Sequence, residues 1–181
     1  MKGIVFTEFM EHVESVHGYP ALDAIIDNSG AETAGAYTSI GTYPCSELVR
    51  LITSLSQYSG VKMPDVITQF GESLAASFKR IYPEYFEGVD YFDFVEGVEN
   101  RIHVDVLKLY PDAELPHFQT ISRTQNELVI DYRSSRALEH LALGLLQGCA
   151  GNFNEAVAIE MSPFETETRS VVRFVIRRGV V

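Results

Sequence analysis

The hydrophobic period of the chain changes once, after Pro116, and that change limits the possible folds more than any other feature. Before Pro116 the apolar residues recur at the three-and-four spacing of helices. After it, short stretches alternate as strands do, around one further helix. Phe6, Phe9, Met10 and Val13 mark a first helix, which Gly18-Tyr19-Pro20 is expected to stop. A short apolar stretch covers 21–26, and a small, polar loop covers 35–42. Residues 47–58 carry Leu48, Leu51, Ile52 and Leu55 on one face. Pro64 suits the first turn of a helix over 65–70, and a further helix is expected over 72–81. Residues 93–110 form the longest uninterrupted helical candidate, with Phe94, Val98, Ile102, Val106 and Leu109 in line and Pro111 at its end.

Beyond the change, Glu127 to Tyr132 reads as a strand joined through a turn at 124–126 to residues 118–121. Residues 135–150 give a second strong helix, with Leu138, Leu141, Leu145 and Cys149 along one stripe. Val157, Ile159 and Met161 alternate with polar or small residues, as do Val172, Phe174 and Ile176, which describes a hairpin with one wet face. The pattern predicts an α+β fold: an N-terminal helical part, then a small antiparallel sheet packed with a long helix. With 181 residues and neither repeat nor linker, one domain over 1–181 is expected. Its N-terminal helical part takes about 1–65, and the long helix and sheet take about 66–181.

Acidic residues outnumber basic ones, 25 to 14, for a net charge of −11. Nucleic acid and anionic membrane both require a positive field, so neither is an expected partner. No apolar run reaches the ~18 residues of a membrane span. The N-terminus meets Glu8 and Glu11 too soon for a signal peptide, so the cytoplasm is the expected location. Cys45 and Cys149 stand far apart without a neighbouring His pair, which supports neither a disulfide framework nor a zinc site.

The chain has no GxGxxG, GxxxxGK, GxSxG or HExxH, and its carboxylates are scattered over helix faces. Of the five histidines, His12 and His17 are expected at the surface, His117 in a turn after proline, and His140 beside the stripe of its helix. His103 stands inside the longest helix next to its apolar face. That setting suits a hydrogen-bonded structural residue or a ligand. Tyr132, Ser134 and Arg136 follow at i, i+2 and i+4 where a strand runs into a helix. Extended chain sends all three to one side, offering a phenol, a hydroxyl and a guanidinium fork to one anion. A structural pairing of Arg136 with Glu139 is the competing reading.

The order of these segments resembles a known family. Met1-Lys2-Gly3-Ile4-Val5-Phe6, Ile102-His103-Val104, Leu107-Lys108-Leu109-Tyr110-Pro111, Leu115-Pro116 and Tyr132-x-Ser134-x-Arg136 are together similar to the haem-nitric oxide/oxygen binding (H-NOX) family, over essentially the whole chain. The stand-alone bacterial members are the nearer type, since no effector domain follows. The resemblance implies haem b with His103 as the proximal iron ligand and Tyr132, Ser134 and Arg136 on the two propionates. Pro116 matches the residue that presses on the haem plane. Val5, Phe9, Leu74, Phe78, Leu141 and Leu145 would form the distal wall. Where oxygen-binding members carry a distal tyrosine, this chain has Leu141, and position 9 is Phe9 in a protein without tryptophan. Nitric oxide is therefore the expected ligand, with carbon monoxide also binding. A sensor histidine kinase or a cyclic-di-GMP enzyme is the expected partner, and no catalysis is expected. The Cys/His zinc site of some relatives has no counterpart, because no Cys or His occurs from residue 151 onward. A module of the same fold holding a different small ligand, without iron, is the alternative.

Overall fold

The computed structural model describes residues 1–165 and 170–179. Four helices come first: α1 (Gly3–His17), α2 (Tyr19–Ser29), α3 (Cys45–Ser59) and α4 (Met63–Ile81). A 3₁₀ turn at Pro83–Tyr85 leads to α5 (Tyr91–Gly97), a π-helical segment (Val98–Ile102) and α6 (His103–Leu109), which run on without a break. Strands β1 (His117–Arg123) and β2 (Glu127–Arg133), helix α7 (Glu139–Asn152), and strands β3 (Val157–Glu165) and β4 (Ser170–Arg178) complete the order.

The α+β architecture is the one the period change predicts, with differences in the helices. Gly18-Tyr19-Pro20 ends α1 but also starts α2: Gly18 has φ +83, and Pro20 occupies the first turn, where its missing N–H costs nothing. Residues 63–81 are one helix, whereas two were expected on either side of Gly71. Gly71 is retained inside it because α7 passes there: a Cβ on Gly71 would lie 2.9 Å from the Gly144 Cα, and one on Gly144 would lie 2.0 Å from the Thr68 carbonyl oxygen. Two glycines thus let the backbones of α4 and α7 touch. Helix α7 begins at Glu139, later than the expected 135, since residues 134–138 take a bend and coil. The long helix starts earlier than expected, at Tyr91, with the Asp90 carboxylate capping the Asp93 N–H at 2.8 Å.

The sheet is antiparallel with strand order β1-β2-β4-β3. Leu128, Ile130 and Tyr132 sit opposite Ile176, Phe174 and Val172, so these apolar residues share one face. On the other face Arg173 grips Asp131 through two bonds of 2.7 and 3.0 Å. Two apolar clusters result. The first gathers Phe6, Phe9 and Val13 of α1, the inner faces of α3 and α4, and Leu138 and Leu141. The second joins the inner sheet face to Phe92, Phe94 and Val95 of α5 and to Ala142, Leu146 and Cys149 of α7. Helix α7 is apolar on two sides because it stands between them, and Leu145 packs against both.

Candidate functional site

His103 is the first residue of α6, directly after the π-helical segment. Its side chain is 14% exposed, and its Nδ1 lies 3.2 Å from Glu99 Oε2, one turn earlier. Its ring stands 6.0 Å from that of Phe118, which in turn stands 5.3 Å from Tyr132. Three rings therefore lead from the long helix across β1 to the end of β2. Burial pushes the His103 pKa below the usual histidine value, against the pull of Glu99. The imidazole is neutral at pH 7, which is the form that binds metals.

Tyr132 is buried at the end of β2, while Ser134 and Arg136 lie in the bend that follows. Burial raises the Tyr132 pKa, so the phenol keeps its proton and can donate. The Ser134 hydroxyl accepts the Arg136 backbone N–H at 3.1 Å. The Arg136 guanidinium pairs with Glu114, at 2.7 Å to the carboxylate, and not with Glu139, the structural partner expected from the sequence. Residues 111–116 bring Glu114 alongside, where residue spacing along α7 gives no sign of it. Nearby, a cleft of about 630 Å³ is lined by Leu107, Glu114, Leu115, His117, Arg133 and Ser134 among others. Pro116 is half-buried between Leu115 and His117 of that lining.

Val5, Phe9, Leu74, Phe78, Leu141 and Leu145 all belong to the first cluster or pack against it. Phe9 meets Phe70 edge-on at 5.1 Å. Tyr37 and Tyr43 pack against the same cluster, but their hydroxyls are engaged: Tyr37 donates to Glu47 at 2.6 Å, and Tyr43 accepts the Thr38 N–H at 2.9 Å. His12 is half-buried with its ring 6.0 Å from Phe70, a correction to its expected surface position, and His17 is exposed. Helix α4 crosses α1 at that point, and burial lowers the His12 pKa.

Four residues at the site are not singled out by the sequence: Glu99, Glu114, His117 and Phe118. Glu99 could have been found, since i and i+4 share a helix face. The others reach the site through tertiary contact. The residue types, a neutral imidazole and a guanidinium with two hydroxyls, fit a flat, metal-bearing cofactor with carboxylate arms, and so suit a cofactor-carrying domain.

The particular family follows from comparison. The Haem-NO-binding family model matches residues 2–161, and the chain belongs to that family, H-NOX. The unliganded Fe(II) H-NOX protein of K. algicida is 37% identical, with a TM-score of 0.89 over 100% of this chain and 98% of that one. An H-NOX protein of S. oneidensis in the Fe(II)NO state is 25% identical, with a TM-score of 0.89 over 99% of this chain and 100% of that one. A mutant of T. tengcongensis H-NOX, 20% identical, shares the fold with a TM-score of 0.88 over 99% of this chain and 98% of that one. No curated protein sequence matches the chain significantly. The family's cofactor is haem with Fe(II), and its sensor domains are gas-binding and non-catalytic. Among the described residues, no helix is long and apolar enough to cross a membrane.

Proposed function

We propose that this chain is a cytoplasmic nitric oxide sensor working as one unit over 1–181, which signals to a separate sensor histidine kinase or cyclic-di-GMP enzyme. The observation that carries the gas preference is the apolar cluster around Leu141. Bound oxygen gains from a hydrogen-bond donor, whereas nitric oxide binds ferrous haem strongly without one. The residues assigned to the distal wall are all hydrocarbon, and the Tyr37 phenol beside them already donates to Glu47.

Haem b supplies a ferrous iron with a position open to a diatomic gas. His103 would hold the iron, Tyr132, Ser134 and Arg136 would hold the propionates, and Pro116 would lie against the ring. Val5, Phe9, Leu74, Phe78, Leu141 and Leu145 keep polar groups from the gas. His103 opens α6 directly after the π-helical segment, and such segments occur frequently at functional sites. A movement of His103 would loosen residues 91–109 from the sheet and shift the helical part against it, altering a surface that the partner reads.

Absorption spectra of the ferrous protein test this reading. Nitric oxide and carbon monoxide should each change the spectrum, while air should give no stable oxygen complex. His103→Gly should lose haem or hold it only when imidazole is supplied. A persistent oxygen complex would overturn the selectivity, and a protein that binds no haem would favour the iron-free alternative. Hydrogen exchange over 93–116 should rise with nitric oxide, and unchanged exchange would sink the signalling step.

A further inference from the structure

The carboxylate of Glu99 gathers three donors from two elements. Its Oε2 stands 3.2 Å from His103 Nδ1 and accepts the Phe118 backbone N–H at 3.1 Å. Its Oε1 stands 3.0 Å from His117 Nδ1. An ionised carboxylate accepts and cannot donate, so both facing imidazole nitrogens must carry their protons. The Phe118 N–H can only donate, which marks Glu99 Oε2 as an acceptor, so the facing Nδ1 carries the proton and His103 is fixed as the Nδ1–H tautomer. Its Nε2 keeps the lone pair.

We infer that Glu99 is the positioning residue of the iron site: it fixes the tautomer and ring angle of His103, strengthens the ring as an iron donor, and ties it to β1 at Phe118. The inference rests on His103 being the ligand, as proposed above. An anionic acceptor on Nδ1–H draws the proton away from the ring and makes Nε2 more basic, an effect that outer partners of metal-bound histidines commonly have. Glu99 also lies in the π-helical segment, so the contact spans the point where α5 passes into α6. The bond to Phe118 N–H means that a His103 ring leaving the iron pulls on the edge strand of the sheet. Glu99 thus sets how readily His103 lets go, and where that movement is felt. His117, whose side chain is 72% exposed, competes for the same carboxylate and shares its charge.

Resonance Raman spectra of the haem-loaded ferrous protein read the iron–histidine stretch directly. Its frequency should fall in the order wild type, Glu99→Gln, Glu99→Leu, because a neutral amide accepts more weakly and leucine does not accept at all. His117→Ala should raise it, since the carboxylate then serves fewer donors; a merely structural pin would move both substitutions in one direction or neither. Haem loss should quicken about 10-fold in Glu99→Leu, the lower end of what outer partners contribute to metal sites. Unchanged frequency in all three variants, with the band present in wild type and lost in His103→Gly, overturns the inference and leaves the ligand intact. A wild-type protein without that band overturns both.

Discussion

Arg136 is held at two points by Glu114: its guanidinium donates to the carboxylate at 2.7 Å and to the main-chain carbonyl of the same residue at 2.9 Å. The group assigned to the propionates thus has a competing carboxylate beside it. Glu114 is 73% exposed on its side chain, and pairs of that kind contribute ~0–1 kcal/mol, so Arg136 gives it up easily.

Removing the competitor should therefore help the cofactor. Glu114→Gln is expected to slow haem loss by up to about 5-fold, the equivalent of ~1 kcal/mol, because one negative charge beside the propionates is gone. Arg136→Ala should speed haem loss more than Ser134→Ala, since a charge-assisted fork outweighs a neutral hydroxyl. Transfer of haem to an excess of an apo-globin acceptor measures all three rates. Equal rates for Arg136→Ala and Ser134→Ala would contradict the assigned roles.

The contact of α4 with α7 leads to a stability prediction. A methyl at residue 144 would meet the Thr68 carbonyl oxygen at 2.0 Å and the Gly71 Cα at 2.9 Å. Both obstacles are backbone, so no rotamer change relieves them and the helices must separate. Gly144→Ala should cost about 1–3 kcal/mol, despite alanine's better helix propensity. Urea unfolding of the variant beside the parent gives the number. A midpoint equal to or above the parent's would mean that the helices part freely.

Much of this is legible in the sequence, for reasons that separate local from tertiary signals. The change of period after Pro116 locates the sheet, because alternation and helical spacing are properties of neighbouring residues. Tyr132, Ser134 and His103 stand out for the same reason, by chemistry and spacing. The single helix 63–81 reads as two in the sequence because Gly71 looks like a stop, and its reason for being there is Gly144, far along the chain. The pairing of Arg136 with Glu114 is hidden likewise: i+3 spacing points to Glu139, and only the fold brings 111–116 alongside. Glu99 is readable one turn before His103, but its bonds to His117 and Phe118 depend on where β1 begins.

Glu47 gives the first apolar cluster a pH-dependent contribution to stability. The residue is 4% exposed, and its Oε2 receives the Tyr37 hydroxyl at 2.6 Å and the Thr33 hydroxyl at 2.8 Å. Burial works against the charge, yet these bonds, with Arg50 nearby, hold the carboxyl below its usual value of 4.5. Tyr37 is itself pushed up to about 12, mainly by burial, so it remains a donor at any ordinary pH. A carboxyl whose pKa is lowered by folding stabilises the fold above the unfolded value. That contribution is lost as pH falls from about 4.5 through the lower folded value. Tyr37→Phe keeps the ring, which stacks 4.5 Å from Phe6, and removes only the donor. The variant should lose about 1.5–3 kcal/mol at pH 7, the range for a hydrogen bond to a charged group. At pH 3 the gap from the parent should shrink, because below 4.5 the unfolded carboxyl takes up its proton and the charge-linked part of the stability is being lost. Urea midpoints of parent and variant at the two pH values decide it: a gap that stays constant would show that Tyr37 stabilises the fold without regard to the charge on Glu47.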